Sequence, residues 1–397
     1  MRFFYIACIL LLVACSGPSK KEYSKLEPIA NKVDIVPLWV AKVGEKSSLE
    51  HRQLSVDVDG DRVYVANAKG KVSALQQQDG KVIWSKPLGV SMLSGPKYDD
   101  GVLYVGSEAR LYALDANSGE ILWVAKVSSE ILSDPTVSGS HIFLQTIDEK
   151  LYALDKKSGE KIWVNSREVP ALTLRGTSSP VVINQRVIAG FADGKLAAFD
   201  VNAGDRIWEV TVAVASGRTD LQRMVDIDGL LKAGNNEIYV VSYQGRIAAI
   251  SAQNGEAIWS REMSSYTGVA LDKQQLYVTD AGGHVWAIDR GTGATLWRQD
   301  GLENRDVTGP VVFEDMVVIA DGAGWVHWLS KEDGGFVSRK DLSRVYDAAF
   351  FDFGDENRKE FDFGVSNDLK VADNKVYIRN NVGALSVFQL SSAQQTN

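Results

Sequence analysis

The stretch Leu103–Trp123, LYVGSEARLYALDANSGEILW, decides the fold. LYVG and RLYALD alternate apolar with polar residues, the pattern of half-buried strands. Asn117-Ser118-Gly119 supplies a turn, and ILW opens a third strand that ends on a large aromatic. Three short strands cannot bury a face alone, so the unit requires neighbours.

The chain supplies them by repetition. Aligned aromatics fall at Trp39, Trp84, Trp123, Trp163, Trp208, Trp259, Trp297 and Phe336, seven intervals over 297 residues. The mean period of about 42 matches four-stranded propeller blades. A glycine turn precedes the aromatic at Gly80, Gly119, Gly159, Gly204, Gly255, Gly293 and Gly334. Upstream lies a hairpin, repeated as VYVANAKGKVSAL, LYVGSEARLYAL, IFLQTIDEKLYAL, VIAGFADGKLAAF, IYVVSYQGRIAAI, LYVTDAGGHVWAI, VVIADGAGWVHWL and VYIRNNVGALSVF. Trp39 precedes every hairpin, and no aromatic strand follows the last one, Val376–Phe388. Placing the Trp39 strand on the C-terminal blade cancels that offset and leaves no open edge. The expected fold is all-β: an eight-bladed β-propeller of four-stranded antiparallel blades, one domain over residues 37–391, closed by its N-terminal strand.

Innermost strands are marked by Ser94-Gly95-Pro96, Ser133-Asp134-Pro135, Ser178-Ser179-Pro180 and Thr308-Gly309-Pro310, and by counting at Leu54, Gly229, Thr267 and Asn367. From aromatic to mark is 10 residues at Trp84→Ser94, but 15 at Trp163→Ser178, 21 at Trp208→Gly229 and 31 at Phe336→Asn367. Stretched loops on a rigid scaffold are where specific function concentrates. The repeated aspartates Asp115, Asp155, Asp200 and Asp289 precede turns and are replaced by Gln76, Ser251 and Ser330 in other blades, so they read as turn-stabilising.

Arg2, the apolar run Phe3–Val13 and Leu12-Val13-Ala14-Cys15 describe a secretory signal over residues 1–14. Residues 15–36 are mixed and polar and read as a flexible tether. Cys8 leaves with the signal, so Cys15 is the only cysteine of the mature chain and neither a disulfide nor CxxC chemistry is open to it. The formal net charge of −8 argues against nucleic acid as a partner. The four histidines (His51, His141, His284, His327) form no metal-ligand spacing, and no GxSxG, P-loop or HExxH motif occurs. No catalytic residue, metal or cofactor is therefore expected.

The A-x-D-x-x-x-G-x-x-x-W consensus resembles the tryptophan-docking repeat of pyrroloquinoline-quinone (PQQ) dehydrogenase propellers. The Cys15 segment resembles the lipobox of bacterial lipoproteins, which implies cleavage before Cys15 and acylation there with chains such as palmitate; Ser16 at the next position implies sorting to the outer membrane. With Pro170-Ala171-Leu172-Thr173-Leu174-Arg175-Gly176 and Asp226-Ile227-Asp228 added, the chain resembles the BamB family, propeller lipoproteins of the β-barrel assembly machinery. The resemblance implies a non-catalytic scaffold, lipid-anchored on the periplasmic face of a Gram-negative outer membrane. It implies BamA, through its POTRA domains, as partner, with the rest of that complex and nascent outer-membrane barrels beside it. Leu172, Leu174 and Arg175 would pack on BamA, and Asp226 and Asp228 would shape or complete the contact.

Independently of the family, both loops are outer-to-inner connections before consecutive blades, so they emerge as neighbours on one face. Apolar anchors beside an arginine suit a protein-binding hot spot. The other reading of the same residues has Leu172 and Leu174 starting a buried inner strand while Arg175 pairs with an aspartate. The enzyme alternative is a PQQ-binding periplasmic oxidoreductase or sensor, against which stands the lack of an adjacent-cysteine pair. Asp347–Gly364 mixes phenylalanines with carboxylates and reads either as an excursion packed on the rim or as a further contact surface; its spacing does not fit an EF-hand.

Overall fold

The computed structural model describes residues 23–44, 54–170, 172–173, 177–214, 218–219, 224–227, 229–350 and 363–391. Their strands form eight four-stranded antiparallel sheets. Blade 1 spans Asp57–Pro87, blade 2 Met92–Lys126, blade 3 Thr136–Ser166 and blade 4 Val181–Thr211. Blade 5 spans Lys232–Glu262, blade 6 Val269–Gln299 and blade 7 Val311–Asp341. Blade 8 combines Lys370–Leu390 with Ile35–Lys42, whose residues pair antiparallel from Ile35 opposite Leu390 to Lys42 opposite Ala384.

The hairpin strands differ from the half-buried alternation read in the sequence. Leu103, Tyr104 and Val105 are all fully buried. The reason is the radial stacking of blades: each middle strand has a neighbouring sheet against both of its faces, so no face is left for water. Eight apolar clusters fill the eight blade–blade interfaces, for example Tyr64, Leu103 and Leu114 between blades 1 and 2, and Ile188, Trp208 and Ile238 between blades 4 and 5. The core is thus distributed around the ring.

The tryptophans fasten each blade to the next. Trp84 of blade 1 lies over Gly119 of blade 2 and donates its indole N–H to the Ala116 carbonyl at 3.0 Å. Trp208 lies likewise over Gly255 and donates to Ala252 O at 3.1 Å. All seven glycines that receive a tryptophan have left-handed φ between 71° and 75°. Asp115 Oδ1 accepts N–H bonds from Asn117 (3.0 Å) and Ser118 (2.8 Å), and with the Ser118 hydroxyl these hold its carboxyl below the ordinary range. The repeated aspartates are therefore turn clamps. Phe336 breaks the series for a topological reason. Blade 8 joins its two outer strands by closure, not by a turn, so it offers no glycine for docking. Phe336 instead packs near His327 and under Arg339.

Residues 23–34, expected within a flexible tether, are bound to blade 7. Lys32 N donates to Val337 O at 2.8 Å, and Arg339 Nη1 donates to Glu27 O at 2.8 Å. Arg305 donates to Ser24 O and stacks on Tyr23, while Leu26 and Val33 enter the neighbouring apolar clusters. Arg305 is itself fixed by Asp321, 2.7 Å away in the blade 7 hairpin tip. The sequence of this stretch is polar enough to read as a tether because its backbone, more than its side chains, is what the two arginines recognise. The signal segment and Cys15 lie outside the described residues. The long connection after blade 7 begins with a helix, Leu342–Phe350, whose Leu342 and Tyr346 are buried against blade 8, Tyr346 meeting Phe363. Residues 351–362 of that connection lie outside the described residues.

Candidate partner-binding face

Each blade sends its outer strand into the next blade's inner strand across the face that also carries its hairpin tip. The residue leaving the outer strand donates its N–H to the tip: Leu88 to Gly70 O, Arg167 to Glu149 O, Val212 to Gly194 O and Met263 to Gly245 O. The two stretched connections, after blade 3 and after blade 4, therefore start from neighbouring tips on one face, as their positions in the repeat predict.

Leu172 is 48% exposed and stands nine residues before the inner strand that opens at Val181. It does not start a buried strand. Leu174, Arg175 and Asp228 lie outside the described residues. Asp226 is only 1% exposed, and its carbonyl accepts the Tyr243 N–H at 3.0 Å. Met224, Val225 and Ile227 are buried beside it. The described part of the second loop is thus a root set into the ring, and Asp226 belongs to that root.

Both loops are rooted on the blade 4 hairpin tip, Phe191–Gly194. Arg167 opens the first loop. Its guanidinium lies 4.3 Å over the Phe191 ring, pairs with Asp193 at 2.9 Å and reaches Glu209 at 2.6 Å. Ile227 in the second loop donates its N–H to Phe191 O at 3.4 Å and packs against Gly190, where a Cβ would lie 2.3 Å from its methyl group. Glu149 of blade 3 reaches the same tip and accepts the Ala192 N–H at 3.2 Å. Glu149 is 4% exposed with φ +57°. Burial, with Asp193 and Asp226 nearby, pushes its carboxyl up to about 7 against the pull of Ala192 N–H and Arg167. Sequence reasoning missed Arg167, Phe191 and Glu149. The signal for Glu149 was in the aligned hairpins, where the same tip position is Gly70, Gly194, Gly245, Gly283, Gly324 and Gly383.

The inner marks are structural. Ser94 Oγ accepts Gly106 N–H at 2.9 Å, and Thr308 Oγ1 accepts Ala320 N–H at 3.1 Å. Among the inner strands of blades 5 to 8 lies a cavity of about 400 Å³ bounded by Leu230, Lys232, Thr267, Pro310, Asp368 and Lys370. Lys370 and Lys97 bind Asp57 at 2.8 and 3.3 Å, and burial raises both Asp134 and Asp368 to about 6. A tricarboxylate quinone does not fit here: the lysines already face aspartates, and Asp368 would oppose its charge. Of the histidines, His284 pairs with Asp280 at 2.9 Å, His327 with Asp321 at 2.9 Å, and His141 is buried beside Phe143. His51 lies outside the described residues. No group of three potential metal ligands occurs among the described residues, and no described helix is long and apolar enough to cross a membrane.

Fold and face together define an eight-bladed propeller of the tryptophan-docked type whose elaborations are long inter-blade loops. Comparison with known proteins narrows this. A family model described as "Outer membrane protein assembly factor BamB" matches residues 30–92 and 68–299. A protein of that name from Pseudomonas aeruginosa is 42% identical over 338 residues, covering 84% of this chain and 89% of its own length. The Escherichia coli K12 protein of that name is 31% identical over 347 residues, covering 84% and 88%. The crystal structure of BamB from Moraxella catarrhalis superposes with a TM-score of 0.76 at 24% identity, over 91% of this chain and all of that one. A quinohemoprotein alcohol dehydrogenase from Pseudomonas putida shares the fold at a TM-score of 0.68 and 12% identity, over 93% of this chain and 78% of its own. The chain belongs to the BamB family of outer-membrane protein assembly factors.

Proposed function

We propose that this protein is a non-catalytic scaffold for assembly of outer-membrane β-barrel proteins, docking on the POTRA domains of BamA through the face at blades 3–5. The supporting observation is Leu172: a leucine 48% exposed, on a stretched connection rooted in a rigid ring. An exposed apolar anchor on a pre-positioned loop binds without a large ordering cost. Leu174 and Arg175 extend that anchor, while Asp226, buried in the root, and Asp228 shape it. Acylation at Cys15 places the ring on the periplasmic face of the outer membrane. The names of the relatives, assembly factors and not enzymes, agree with this reading.

The test is a photo-crosslinking amino acid at Leu172 or Leu174 in the native membrane. Capture of BamA is the expected result, and capture of no component of the assembly complex refutes the docking. Titration of the purified protein with PQQ and Ca²⁺ is expected to give no saturable binding; dye-linked turnover would establish the enzyme alternative.

A further inference from the structure

We propose that Glu149 and Arg167 are positioning residues of the docking face: through the blade 4 hairpin tip they hold both loop roots in one arrangement, and the proton on Glu149 controls that hold. The inference rests on the docking face proposed above, but its geometry is independent of the partner.

Three observations converge on Glu149. First, it carries a side chain where six of the eight blades carry glycine. At φ +57° an L-residue is strained, and such strain persists where the surrounding structure requires it. Second, its carboxylate is almost wholly buried and spends its hydrogen bond on the next blade, at Ala192 N. Third, the tip that it holds is the one to which Arg167 and Ile227 also bind, the entry of one loop and the root of the other. A ring needs no such bridge for closure, since Trp163 already docks blade 3 on Gly204 of blade 4.

The charged groups around Glu149 set the sign of its effect. Arg167 faces it from the first connection, Asp193 from the blade 4 tip and Asp226 from the second loop. Arg167 is committed to Asp193 and Glu209, and Lys195 also neutralises those two at 3.6 and 3.3 Å. Protonated, Glu149 is neutral and adds no charge beside Asp193 and Asp226. Ionised, it is first of all a charge buried away from water, and it also repels Asp193 on the tip and Asp226 in the root, so the bracket opens. Its carboxyl is raised from the ordinary 4.5 to about 7. The closed arrangement therefore binds the proton more tightly than an opened, hydrated one. Closure is strongest at low pH and weakens as pH rises toward 7 and above, with opening about tenfold more populated at pH 8 than at pH 6.

The experiment uses the full mature lipoprotein in detergent. Amide hydrogen exchange is followed at 167–173 and 224–229 between pH 6 and pH 8, corrected for intrinsic rates, and affinity for a soluble BamA POTRA fragment is measured over the same range. In the wild type, protection at both roots is expected to fall about tenfold from pH 6 to pH 8. Glu149→Gln, neutral at every pH, is expected to abolish the slope in both. Glu149→Gly removes the bridge and relieves the backbone. It is expected to match or exceed wild-type thermal stability while losing protection at both roots. A purely structural residue would not separate those two readouts. Wild-type slope retained in Glu149→Gln, or full protection in Glu149→Gly, overturns the proposal. If protection behaves as expected and no POTRA fragment binds, the positioning role stands and the choice of partner fails.

Discussion

Gly119→Ala tests the joint that repeats around this ring, because its cost can be divided. Gly119 has φ +75°, and a Cβ there would lie 2.6, 2.8 and 3.0 Å from three ring atoms of Trp84. Gly101 is the natural control. It belongs to the same blade, has φ +81°, and a Cβ there meets nothing within 4 Å. Both substitutions incur the left-handed penalty of an L-residue, about 1–2 kcal/mol. Only Gly119→Ala must also push aside an indole wedged between blades, at about 1–3 kcal/mol for overpacking. The expectation is a loss of about 1–2 kcal/mol for Gly101→Ala and about 2–5 kcal/mol for Gly119→Ala. For a chain larger than 250 residues that is roughly 2 °C in Tm per kcal/mol. Urea and thermal unfolding of the mature domain, followed by tryptophan fluorescence, measure both. Equal losses in the two variants would show that the tryptophan does not bear on the glycine, and the inter-blade joint would need another explanation.

Further outcomes follow from the same geometry. Trp208→Phe removes the N–H donor to Ala252 O and should cost about 1–3 kcal/mol in urea unfolding; Trp84→Phe should cost less, because Arg62 also donates to Ala116 O at 3.0 Å. Deleting the chain through Lys42 exposes the Ala384–Leu390 edge, and self-association is expected by size-exclusion chromatography; a monomer of unchanged Tm would contradict the closure. His327 Nδ1 must accept from Arg339, which can only donate, so Nε2–H points at Asp321 and the ring is neutral. Burial holds His327 below its ordinary 6.5, so the folded state binds its proton less readily than the unfolded chain, and stability falls as pH drops below about 6.5. Amide exchange over residues 24–34 should accelerate relative to intrinsic rates between pH 7.5 and pH 5, and His327→Gln should remove most of that dependence.

The architecture was legible because it is written eight times. Glycine, aspartate and tryptophan at fixed offsets report local turn chemistry, and the offset of Trp39 against the hairpins reports the closure. What the repeat conceals is anything decided between blades. The alternation of LYVG suggests one wet face, yet Tyr104 and Val105 are both buried, since strand spacing carries no information on a second sheet behind the first. Loop stretching located the candidate face and Leu172 on it. It did not separate an exposed anchor from a buried root, and Asp226 proved to be root. Glu149 was visible only as an exception among aligned glycines. Its meaning needed the Ala192 N–H that lies 43 positions along the chain. Residues 23–34 read as a tether because nothing in a polar segment announces that Arg305 and Arg339 will take its carbonyls.

That bound segment has a mechanical consequence. Were Cys15 to carry the proposed lipid, the eight-residue stretch from there to Tyr23 could span at most about 28 Å. It departs from blade 7, whereas the candidate docking face centres on blade 4. In a ring of eight, each blade occupying roughly 45°, those two points stand about 135° apart. Under the proposed anchoring and docking, the ring would be tethered to the bilayer on one flank and held by its partner on the other. It would then serve as a strut between membrane and partner, and the span it could bridge would be set by how firmly two arginines hold twelve residues of backbone.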